Sequence, residues 1–219
     1  LYPARIHLFA LWFYWKCIFY IAAILAYNET QTIGYMGICT GGSPMEQMTL
    51  TQQAAAYAAA LAAPDAGELL PYFKISLYDW IATTVSGRDA DCLMLVAALS
   101  EKAGGAGACL CLPTGRLMPA AHAARINTAA GHAHDYDDVH ETDGLHLNSP
   151  VISAAYAVAE ERGASFADLF RAVVAGMDVE NAIYKLLTRS HVHQGWHATA
   201  TMGVYGAAVA AGNLLGLSA

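Results

Sequence analysis

The 219-residue chain is 56% hydrophobic and only 13% charged, with a formal net charge of -7. That length suits one ordinary domain, or one with an extension, and the apolar share supplies a buried core. The 11 Lys and Arg residues are scattered, so no basic patch tracks a phosphate backbone and nucleic acid is not expected as a partner. Alanine and glycine dominate the composition, which favours closely packed helices over a sheet-rich fold. The five cysteines show no CxxC pair and no metal-finger spacing. An odd count without a framework points to reduced thiols and a cytoplasmic setting.

Residues 1–44 differ from the rest. Ile6 to Tyr27, "IHLFALWFYWKCIFYIAAILAY", runs 22 residues with only His7 and Lys16 interrupting it. On hydropathy it qualifies as a membrane span. Three readings fit: a membrane anchor, a signal-like segment without a clean small-residue cleavage site, or a stretch foreign to the native protein. The break in composition favours the third, with Met45 or Met48 as the natural start and "TGGSP" as a linker. A membrane is expected as a partner only if this extension is native.

From there every long element reads helical. Thr49 to Ala63 is an Ala-rich helix capped by Thr49 or Thr51 and stopped by Pro64. Leu69 to Ser86 places Leu70, Phe73, Leu77, Tyr78, Ile81 and Val85 on one stripe and ends at Gly87. Ala90 to Ala103 is a third helix. "CLCLPTGRLM" (Cys109 to Met118) alternates and turns, which suits a short hairpin. Pro119 opens a helix to about Ala133. Asn148 or Ser149 caps the next one, with Gly163 beyond its end. Ser165 and Asp168 form a capping-box-like start for a helix from Phe166 to Thr188. A last helix runs from about Ala198 to Leu215, stopped by Gly216. The fold class is therefore all-α and bundle-like, with one short β-hairpin. Small residues along the last helix (Gly203, Gly206, Ala207, Ala210, Ala211) indicate tight packing against a neighbour.

Three places carry candidate chemistry. "HDYDDVHETDGLH" (His134 to His146) gathers five acids among three histidines. A solvated acidic loop is the plain alternative, but apolar helices pin both ends. Asp135 and Asp138 are three apart and would share one face of a helical turn. A carboxylate beside a histidine orients the ring and tunes its proton affinity, as general acid/base work requires. In "SHVHQGWHATAT" (Ser190 to Thr201), His193 and His197 stand four apart, a possible metal pair that Gly195 interrupts. His197 instead looks like the entry to the last helix, where Thr199 and Thr201 sit beside free backbone N–H groups that suit a carboxylate. A simple cap is the competing reading. Glu180 and Asn181 fall where their helix should be apolar; they line a pocket or brace a neighbouring loop.

These stretches, in this order, resemble the MmgE/PrpD family, which includes 2-methylcitrate dehydratase, cis-aconitate decarboxylase and iminodisuccinate epimerase. The resemblance covers Met45 to Ala219. It rests on "GHAHDYDDVH", "HLNSPVISAAYAVAEERGAS", "AGMDVE", "GWHATATMGVYGAAVAAGNLLGL" and "PTGRLMPAAHAARINTAAGHA". It implies a helical domain with a smaller α/β lid, an active site between them, a homodimer, and no metal or organic cofactor. It also implies acid/base chemistry beside a carboxylate of a small di- or tricarboxylate. Carried over by motif, Asp135, His146 and His197 are the catalytic candidates. Asp138, His140, Thr199, Thr201 and Glu180 are the candidate substrate contacts.

The chain departs from the pattern at Val139, where the family commonly has Thr, and at Leu147, where it has Pro. "WHATAT" also replaces "FHPTAT". The sequence ends before the family's lid and its substrate-binding lysines. The expectation is an N-terminal part of a 2-methylcitrate dehydratase-like hydro-lyase of propionate metabolism, incomplete as it stands. Two other classes stay open: a non-catalytic helical dimerisation fragment, and a metal-binding module built on His132, His134, His191, His193 and His197.

Overall fold

The computed structural model describes residues 48–61, 64, 66–140, 144–186 and 190–219. The extension predicted over residues 1–44 lies outside the described residues. Among the described residues no helix is long and apolar enough to cross a membrane.

Eight α-helices and one two-stranded antiparallel hairpin make up the described chain. Helix α1 (Leu50–Ala60) starts at a complete capping box, with Thr49 and Gln52 each bonding the other's backbone N–H. The Tyr57 hydroxyl donates to Asp178 at 2.5 Å, which ties α1 to a later helix.

Helix α2 (Ala66–Ser86) is present, and Leu70, Phe73 and Leu77 of the predicted stripe pack into the core, but its second half is rotated. Tyr78, Ile81 and Val85 are exposed, while Phe73, Trp80, Thr83 and Thr84 are buried. Trp80 settles the rotation: its indole N–H donates to Ser153 Oγ at 2.9 Å and its ring packs on Tyr156. A buried Trp with its N–H satisfied is worth about 3–5 kcal/mol against Ala. That outweighs exposing one Tyr and two smaller apolar side chains. After α2, a 3-10 turn (Gly87–Asp89) begins at a position with no room for a side chain. A Cβ on Gly87 would stand 2.0 Å from the Ala130 carbonyl oxygen.

Helix α3 (Asp91–Ala103) leads into strands β1 (Cys109–Cys111) and β2 (Arg116–Met118). Cys109 and Cys111 share the buried face, as their two-residue spacing requires. Burial raises both thiol pKa values, Cys111 to about 11. Helix α4 (Ala120–Gly131) holds the hairpin through Asn127, which donates to the Leu110 carbonyl (3.0 Å) and accepts from the Leu112 N–H (2.9 Å).

Three helices form the centre: α5 (Asn148–Arg162), α6 (Phe166–Leu186) and α8 (Ala198–Leu215). Short α7 (Ser190–His193) precedes α8. The Ser165/Asp168 box at the start of α6 and the left-handed Gly163 and Gly216 stops are as predicted. The small residues of α8 serve close packing: a Cβ on Gly206 would meet Glu180 Oε2 at 2.5 Å and Val151 Cγ2 at 2.7 Å.

The start of α5 departs from expectation. Neither Asn148 nor Ser149 caps it; both are already helical, and neither side chain bonds the helix start. Asp138, ten positions upstream of Asn148, accepts the Leu147 N–H (3.1 Å) and the Asn148 N–H (2.9 Å) instead.

Candidate functional site

Helix α4 ends at Gly131 because His132 leaves helical geometry, with φ -97° and ψ 2°. The chain then loops over to α5. The His140 N–H donates to the Leu145 carbonyl at 2.7 Å and narrows this loop. His132 and His146 stand at its two ends, and their rings meet edge to face with centroids 4.6 Å apart.

Asp137 lies beneath both rings, its side chain fully enclosed. His132 Nδ1 contacts Asp137 Oδ1 at 3.0 Å and Oδ2 at 3.2 Å. His146 Nδ1 reaches the same Oδ1 at 3.2 Å, an ion-pair distance off the line of a good hydrogen bond. Ser149 Oγ donates to Oδ2 at 2.6 Å. Burial works to raise the Asp137 pKa. The contacts from His132, His146 and Ser149 outweigh it and hold the carboxyl well below the usual range.

The anion in turn acts on His146. Burial opposes a charged ring, yet Asp137 beside it, with Asp138 and Asp135 nearby, raises its pKa. With both Nδ1 atoms turned to Asp137, the Nε2 atoms are left for chemistry, the arrangement by which a carboxylate fixes the useful tautomer. His146 Nε2 lies 3.5 Å from Asp135 Oδ1.

Asp135 is 77% exposed at its side chain and has φ 56°. It is the one non-glycine residue with positive φ among the described residues. Short polar side chains tolerate this region best. The predicted helical turn shared by Asp135 and Asp138 is not formed: Asp135 faces outward at His146, while Asp138 turns beneath the start of α5. There burial pushes the Asp138 pKa up to about 7, with Asp79 and Asp137 adding like charge and the two N–H bonds opposing.

His197 is the N-cap of α8, and its Nδ1 accepts the Ala200 N–H at 3.3 Å. Its cap role is therefore real. An accepting Nδ1 leaves Nε2 carrying the proton, a donor available to a ligand. The His197 ring lies 5.3 Å from that of His132. Thr199 joins the two helix starts, its Oγ1 accepting the His146 N–H at 3.0 Å. The N-termini of α5 and α8, both positive dipole ends, thus meet at one place.

Of the catalytic candidates, Asp135 stands beside His146, and the His197 ring faces that of His132. The candidate contacts fare differently. Asp138 is engaged as the cap of α5. His140 is buried with its ring edge-on to Tyr184. The Thr199 hydroxyl already holds His146. The Thr201 hydroxyl bonds back to its own helix and meets His191 Nε2 at 2.8 Å. Glu180 is fully buried between α6 and α8, and neither carboxyl oxygen has a hydrogen-bond partner. Burial, reinforced by Asp138, pushes its pKa up to about 9, so it is a neutral acid at physiological pH.

Asp137 and its contact with His132 were missed. In sequence Asp137 is one of three near-identical acids, and only the fold shows which is enclosed. The pairing of His193 with His197 is not realised either: His193 ends α7, apart from the histidine cluster. One ligand atom from each of His132, Asp135, Asp137 and His146 lies within 4.8 Å of the others, close enough to share a metal ion.

An all-helical domain with a carboxylate-anchored histidine pair at two converging helix starts is thus the class defined by fold and site. Residues 52–219 match the MmgE/PrpD N-terminal domain, and the chain belongs to that family. It is also similar to two proteins named cis-aconitate decarboxylase, one from Aspergillus terreus and one from Aspergillus terreus strain NIH 2624 / FGSC A1156. Each is 33% identical over 118 residues, 51% of this chain. The match spans about a quarter of those relatives' length (24%). No solved structure matches the chain significantly.

Proposed function

We propose that this chain contributes one wall of a lyase site for a small tricarboxylate. The carrying observation is the Asp137-anchored pair of His132 and His146 beside Asp135, set where the N-termini of α5 and α8 meet. In this reading the pair of His146 Nε2 and Asp135 takes the proton from a carbon next to a carboxylate and returns one to the departing hydroxide, so that C–H and C–O break, a C=C bond forms and water leaves. Asp137 holds the ring in place and stabilises its charged form. His197 Nε2–H and the two helix starts hold carboxylate oxygens. Dehydration of 2-methylcitrate is the first reaction proposed. The match to proteins named cis-aconitate decarboxylase favours loss of CO2 from cis-aconitate as the second. The partner of this wall in a working site is a lid supplied by further chain, within a homodimer in the cytoplasm.

Binding and turnover test different parts of this reading. Citrate-class tricarboxylates should shift the ring NMR signals of His132, His146 and His197 in the purified chain, and the His132 and His146 shifts should weaken in His197→Asn, which keeps a helix cap and loses the Nε2–H donor. Unmoved rings at saturating ligand would sink the site. Turnover of 2-methylcitrate against cis-aconitate, read by absorbance of the unsaturated compound, then decides the reaction.

A further inference from the structure

We infer that His132, Asp135, Asp137 and His146 form a binding site for a transition-metal dication of the zinc or cobalt class. Two observations carry this. The first is geometric: one ligand atom from each residue lies within 4.8 Å of the others, a span that an ion with ligand distances of about 2.0–2.2 Å bridges with small side-chain shifts. The second is burial: Asp137 is fully enclosed and the His146 side chain only 10% exposed, with Nδ1 3.2 Å from Asp137 Oδ1, so these donor atoms are already held together.

The donor set selects the ion. Two imidazoles with two carboxylates suit zinc, cobalt, nickel or copper, whereas magnesium and calcium take oxygen. The support is already in place. Ser149 donates to Asp137 and would hold it as a ligand, as outer-shell partners do. Asp135 is exposed and leaves an entry side. The residues differ from the set suggested by histidine count alone, because His134 stacks on Tyr136 and His191 bonds Thr201. The ion would compete with a tricarboxylate for His146 and Asp135; this last point rests on the function proposed above.

Cobalt titration of the tag-free, chelator-stripped full chain tests the site. One equivalent should bind with visible absorption of low coordination number. Asp135→Ala, at an exposed position that leaves folding intact, should weaken binding at least tenfold, since even outer-shell partners are worth about 10–100-fold. His146→Ala should abolish binding, with circular dichroism confirming the fold. His193→Ala should bind as the parent does. Absence of saturable binding, or binding that survives His146→Ala or Asp135→Ala unchanged, overturns the inference. Ring shifts with citrate and no cobalt binding would reject the metal site alone. Cobalt binding without ring shifts would reject the tricarboxylate reading alone.

Discussion

Replacing Glu180 by Gln should change how stability depends on pH more than it changes stability itself. Glu180 is fully enclosed, its oxygens unpartnered, and its pKa stands at about 9 against an ordinary 4.5. Above pH 4.5 the unfolded chain releases this proton and the folded chain keeps it. The folded state then binds more protons, so stability falls as pH rises, from 4.5 up to about 9. Taking 1.36 kcal/mol per pH step, the loss between pH 5 and pH 8 comes to about 4 kcal/mol. Gln keeps the volume and cannot ionise, but its buried amide adds a pH-independent cost of about 1–3 kcal/mol. The parent should therefore be the more stable form at pH 5, and the two should cross before pH 8. Urea unfolding of both chains at pH 5, 6.5 and 8 measures this, and the difference between them cancels every other titrating group. A difference constant to within about 1 kcal/mol across that range would refute the enclosed neutral acid.

Gly206→Ala should cost about 1–3 kcal/mol in thermal unfolding, because its Cβ would meet Glu180 and Val151 below 3.0 Å; a neutral variant would mean α6 and α8 part easily. Asp138→Ala should cost about 2 kcal/mol by leaving the Leu147 and Asn148 N–H groups without their acceptor, with Asn recovering part of it. Asp137→Asn should lower the His146 pKa, since the anion that raises it is gone. Ring titration by NMR reads that shift, and an unmoved value would remove Asp137 from the role given to it.

Much of the fold was legible because its signals are local. Thr49, Gly163, the Ser165/Asp168 box, His197 and Gly216 all act within a few residues of the boundary they set. The second half of the α2 stripe was misread for the opposite reason. Its rotation is fixed by Ser153, which accepts from Trp80, and by Tyr156, on which the Trp80 ring packs. None of these is near in sequence. The α5 cap was misassigned because its acceptor comes from a loop. The stretch from His134 to His146 was recognisable as a site from its density of acids and histidines. Which acid is enclosed, which is a cap and which is free depends on depth in the fold, and depth leaves no mark on spacing.

The left-handed backbone at Asp135 sets stability and activity against each other at a single position. Glycine would relax that conformation, worth up to about 1 kcal/mol, yet would remove the carboxylate that faces His146. A population of variants screened only for thermal resistance should drift toward Gly or Asn at position 135. One screened for turnover should hold Asp there and accept the strain, so the residue chosen at 135 would reveal which demand had shaped the chain.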